Sequence, residues 1–124
     1  MRVTLLILLT LMACSDDPRE AHIAAAKAFT RHYTQSRLGK WNVRASAAGT
    51  GCTVLLVEAS IVMDDFMVDA LHHGTGAYDV YPGGVEQFAR ERGFDGVAYK
   101  DPRKHLWTYG SAVSHDVATL TPCY

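Results

Sequence analysis

Cys52-Thr-Val-Leu-Leu-Val-Glu-Ala-Ser60 is the most apolar run in the chain beyond its first fourteen residues. A short apolar run bounded by glycine and rich in valine and leucine reads as a buried strand rather than a helix. Just upstream, Trp41, Val43, Ala45 and Ala47 alternate with Asn42, Arg44 and Ser46, the period of a half-buried strand. Gly49-Thr50-Gly51 between the two runs supplies a turn, so the spacing predicts a hairpin.

Working outward, Asp17-Pro18-Arg19-Glu20 is a helix start with three agreeing signals: Asp as N-cap, Pro at N1 and Glu at N3. The helix is expected to run to Gly39 and to turn Ala26, Phe29 and Tyr33 toward a sheet. Downstream, Val62 to His73 fits a helix with Met63, Phe66, Met67 and Ala70 inward, Asp65 and Asp69 outward, and Gly74 as its stop. Pro82-Gly83-Gly84 leads into a shorter helix, Val85 to Arg92, with Val85, Phe88 and Ala89 inward and a Schellman end at Gly93-Phe94. Val97 to Tyr99, His105 to Tyr109 and Val113 to Leu120 read as strands. The pattern predicts an α+β fold: one small domain over residues 17–124, with an antiparallel sheet of about four to five strands, an N-terminal helix, and two shorter helices between the hairpins.

The chain opens MRVTLLILLTLMAC, a basic start, an apolar run, and Leu11-Met12-Ala13 set directly against Cys14. Val3 to Met12 would span only about 15 Å as a helix, half of a ~30 Å hydrocarbon core, so it reads as a leader and not a membrane span. This stretch resembles the lipobox of bacterial lipoproteins, with Leu11 at −3, Ala13 at −1 and Cys14 at +1. The resemblance implies that residues 1–13 are a signal peptide, that Cys14 is lipidated, and that residues 14–16 form a short tether. Three acyl chains exceed the two-signal threshold for stable membrane anchoring. Ser15 at +2 implies sorting to the outer membrane, facing the periplasm.

Beyond Cys14 the chain holds two more cysteines, Cys52 and Cys123. An even pair in an exported chain reads as a disulfide, which would close a long loop. Removing the leader takes away one of twelve basic residues and none of thirteen acidic ones, leaving the remainder two charges negative. That balance gives no reason to expect a nucleic-acid partner.

Two clusters could carry chemistry. Asp65, Asp69, His72 and His73 fall within two helical turns, where carboxylate and imidazole on one face could bind a divalent metal. The same arrangement is also what a helix dipole favours on a solvated face. Tyr78, Tyr81, Gly83 and Gly84 form the second cluster, in which glycines before a helix leave backbone N–H groups for an anion and the tyrosines offer flat contact area. No Gly-x-Ser-x-Gly elbow, nucleotide-binding glycine pattern or His-Glu-x-x-His spacing occurs, and no cofactor is expected. The expectation is a small non-catalytic envelope lipoprotein, held at the membrane through Cys14, that binds an envelope protein or peptidoglycan. The alternative is a small metal-dependent envelope enzyme using the Asp/His helix with His105 or His115.

Overall fold

The computed structural model describes residues 18–49 and 52–110. Helix α1 spans Pro18–Thr34 and buries Ala26, Phe29 and Tyr33, the face its periodicity predicts. It stops short of the expected Gly39. The Ser36 hydroxyl donates to the Tyr33 carbonyl at 2.6 Å and accepts the Leu38 N–H at 3.1 Å, local bonds that replace the next helical turn. The chain then passes through a 3-10 turn, Gly39–Trp41, which takes Trp41 out of the expected strand. Gly39 is required there because a Cβ would run into the Thr34 carbonyl.

Four strands follow: β1 Arg44–Ala48, β2 Val54–Glu58, β3 Gly96–Lys100 and β4 Leu106–Gly110. They lie in the order β1-β2-β3-β4. The fold is the α+β domain the pattern predicts, with an N-terminal helix and two shorter helices between hairpins. Its sheet, however, is mixed and not antiparallel throughout. The outer pairs are antiparallel hairpins, whereas β2 and β3 run parallel. The reason is the segment joining them. Residues 59–95 carry two helices, long enough to bring the chain back to the starting end of the sheet. The unbroken burial of Val54, Leu55, Leu56 and Val57 is what a central strand covered on both faces requires.

Alternate residues serve the two faces. Leu55, Val57, Val97 and Tyr99 join the main core with the helices, while Val54, Leu56 and Ala98 form a second, smaller cluster. Helix α2, Asp65–His73, begins at the N-cap Asp64, whose carboxylate accepts the Met67 N–H at 2.8 Å. Its buried face is Val68, Ala70, Leu71 and His72, and Phe66, expected inward, is 74% exposed. The apolar residues here are nearly continuous, so hydropathy leaves the helical phase open. Packing resolves it by turning His72 inward. Helix α3, Gly84–Glu91, buries Val85, Phe88 and Ala89 as expected. It ends in the predicted Schellman motif: Phe94 N–H donates to Ala89 O and Gly93 N–H to Arg90 O.

Candidate functional site

Parallel pairing sets the carboxyl ends of β2 and β3 side by side. Glu58 lies opposite Lys100 on one flank and opposite Arg44 on the other. Cross-strand partners project to the same side of a sheet, so one carboxylate stands between two cations. With strands ~4.8 Å apart, the backbone positions of Arg44 and Lys100 are separated by roughly 10 Å. A groove of about 570 Å³ opens at this end of the sheet, lined by Asn42, Arg44, Glu58, Lys100 and Lys104 among others. Among the described residues, the side chains of Arg44, Glu58, Lys100 and Lys104 make no hydrogen bond or ion pair.

The turn that carries Lys104 is built on a buried carboxylate. Asp101 is 3% exposed and accepts N–H groups from Met63, Arg103 and His105. The Arg103 guanidinium adds two bonds, at 2.9 and 2.7 Å, and also donates to the Met63 carbonyl at 2.6 Å. Burial pushes the Asp101 carboxyl up, and the bonds from Arg103, Met63 and His105 outweigh it, so its pKa falls below the ordinary value. Lys104 N–H donates to the Asp101 carbonyl at 2.9 Å, and Lys104 itself sits at φ 70°, a position hairpins usually give to glycine. Asn42 has φ 48°. These two are the only non-glycine residues with positive φ among the described residues, and both line the groove.

The opposite end of the sheet holds a different arrangement. Glycine–glycine contact lets α2 and α3 approach closely, since a Cβ on Gly74 would lie 2.5 Å from the Gly84 nitrogen. That approach brings His72 and His73 of α2 to Glu86 of α3. His72 is 3% exposed, shares a 2.8 Å hydrogen bond through Nδ1 with the Tyr99 hydroxyl, and stacks on Tyr109 at 3.9 Å. Its Nε2 lies 3.8 Å from Glu86. Burial lowers its pKa from 6.5 to about 4, with the neighbouring Glu86 carboxylate opposing only part of the effect. His72 is therefore neutral at pH 7. A smaller cavity of about 160 Å³ lies beside it, lined by Glu86, Arg90 and Tyr109 among others.

The four expected metal ligands make separate pairings, although His72 and His73 are neighbours with ring centroids 5.1 Å apart. Asp65 accepts the Trp107 indole N–H at 2.8 Å, Asp69 lies 3.4 Å from His73, and His72 points into the core. His105 stacks on Trp107, whereas His72 stacks on Tyr109. Among the described residues no group of three or more His, Cys, Asp or Glu is placed to hold a metal ion. In the second expected cluster, Tyr81 donates to Glu91 at 2.5 Å and packs edge-on to Phe88, and Tyr78 packs against Trp41. Gly83 and Gly84 both have positive φ, and Gly84 N–H donates to the Tyr81 carbonyl at 2.7 Å. These contacts account for the residues through the turn and the α2–α3 approach. Cys52 is disulfide-bonded. Cys14, Cys123, His115 and the expected strand Val113 to Leu120 lie outside the described residues.

Sequence reasoning passed over Arg44, Glu58, Lys100 and Lys104. The available signal was that two apolar strands, VLLVE and GVAYK, end in opposite charges. Compared with known proteins, the chain matches no family model, no curated protein and no solved structure.

Proposed function

We propose that the chain is a small non-catalytic lipoprotein of the bacterial envelope whose domain binds a protein or cell-wall component close to the membrane. The lipobox run Leu11-Met12-Ala13-Cys14, set directly behind an apolar leader, is the observation that carries this reading. The disulfide at Cys52 agrees with an oxidising compartment. The disposition of polar groups favours binding over catalysis. His72 is engaged by Tyr99 and Asp101 by its own turn, while the uncommitted charges line an open groove.

Mass spectrometry of the protein extracted from bacterial membranes tests this reading. The expected product begins at Cys14 and carries acyl chains, and Cys14→Ala abolishes both cleavage and anchoring. A chain that keeps its leader, or a trimmed chain without acyl groups, would overturn the assignment.

A further inference from the structure

The groove at the carboxyl ends of β2 and β3 presents charge in a fixed sequence. Arg44, Glu58 and Lys100 stand on three adjacent strands, positive, negative, positive, and Lys104 adds a third cation from the β3–β4 turn. Strand positions hold the first three, and the Asp101 hydrogen bonds hold the turn. Opposite charges placed this close would ordinarily pair, yet these side chains make no ion pair among the described residues. A volume of about 570 Å³ falls within the ~300–1,000 Å³ of small-ligand sites.

We propose that this groove binds a short acidic peptide end, in which two separated carboxylates flank an ammonium. Arg44 and Lys100 take the carboxylates, Glu58 takes the ammonium, and Lys104 adds attraction at the rim. Charge complementarity selects this class. A compact phosphate dianion centred between the two cations would meet the Glu58 carboxylate, whereas a ligand with charges ordered negative, positive, negative satisfies every group. A sugar ring is disfavoured because none of the described lining residues is aromatic. The inference rests on the envelope reading and deepens it: among cell-wall components, the stem peptide has this chemistry, with several carboxylates and free amines.

The test is calorimetric titration of the full acylated chain, held in detergent at low ionic strength. The probes are the tripeptide alanyl-γ-glutamyl-diaminopimelate and inorganic phosphate. Saturable binding of the tripeptide is expected, with phosphate failing to displace it. Glu58→Gln and Lys100→Ala should each weaken binding by roughly tenfold or more, since charge-assisted bonds contribute at least that much. Both positions end their strands at partly exposed sites, and thermal melts check that each variant remains folded. A flat titration, displacement by phosphate, or unchanged affinity in folded Glu58→Gln would overturn the proposal. An acylated chain giving a flat titration removes the ligand assignment and leaves the lipoprotein reading standing. An unacylated chain that still binds the tripeptide does the reverse.

Discussion

At one end of the sheet, the side chains of Arg44, Glu58, Lys100 and Lys104 make no hydrogen bond or ion pair among the described residues, and two non-glycine residues are held in the left-handed region beside them. At the other end, His72 is buried, neutral and hydrogen-bonded, stacked on Tyr109 and close to Glu86. Both ends are polar, but they relate to stability in opposite ways. The His72 end is organised so that its polar atoms support the core. The groove end keeps charges apart, an arrangement that helps folding little and leaves them available to a ligand. Asp101 is the exception that defines the groove, because it is the buried carboxylate on which the turn carrying Lys104 is assembled.

The largest effect is therefore expected at Asp101. Asp101→Ala leaves the Met63, Arg103 and His105 N–H groups and the Arg103 guanidinium without their acceptor. The Arg103 guanidinium is 53% exposed and returns to water, so the cost comes from the backbone N–H groups, about 1–3 kcal/mol for each donor left buried without an acceptor. Urea denaturation should show that loss, and a change below about 1 kcal/mol would mean that the turn is held by something other than this carboxylate.

The two ends also separate by pH. The folded pKa of His72 is depressed from 6.5 to about 4, so the unfolded chain binds the proton more tightly between those values. The stability from keeping His72 neutral is fully present above pH 6.5 and is lost as pH falls toward 4, by about 3 kcal/mol at most. Asp101 acts in a lower window. Its pKa lies below the ordinary 3.8, so its contribution is present above that value and disappears only as pH falls further. Thermal melts from pH 7 to 3 should thus show two successive losses, and His72→Phe should flatten the first while leaving the second. Identical slopes between pH 6.5 and 4 in wild type and His72→Phe would show that His72 is not the titrating group.

The two ends were unequally legible in the amino-acid sequence. Where helical periodicity is clean, as in Ala26, Phe29 and Tyr33 or in Val85, Phe88 and Ala89, the buried face was readable, and so was the glycine-based end at Gly93. The run Phe66-Met67-Val68 followed by Ala70-Leu71 offered two possible inward faces. Grouping Phe66 with Met63, Met67 and Ala70 selected the wrong one for Phe66, which is exposed. The groove was hidden for a deeper reason. Arg44, Glu58 and Lys100 lie far apart in sequence, and only the register joins them. Antiparallel pairing of β2 and β3 would reverse that register and carry Lys100 to the far end, so the site arises from the parallel pair. The two helices read between β2 and β3 make a crossover long enough for parallel pairing, the signal that the antiparallel expectation passed over.

Lys104→Gly probes the contrast most finely. In the β3–β4 turn, position 104 takes φ 70°, which costs a side-chain-bearing residue about 1–3 kcal/mol and glycine almost nothing. Glycine loses more backbone freedom on folding, roughly 0.5–1 kcal/mol, so the net gain should be near 1 kcal/mol. The Lys104 N–H bond to the Asp101 carbonyl survives the change because it is made by the backbone. Stability should rise by several degrees in Tm while affinity for the acidic tripeptide falls, because the substitution relaxes the turn and removes a groove cation together. If Tm does not rise, the turn carries no strain and Lys104 is an ordinary loop residue. If Tm rises with affinity unchanged, Lys104 lies outside the binding surface and the charge complement reduces to Arg44, Glu58 and Lys100.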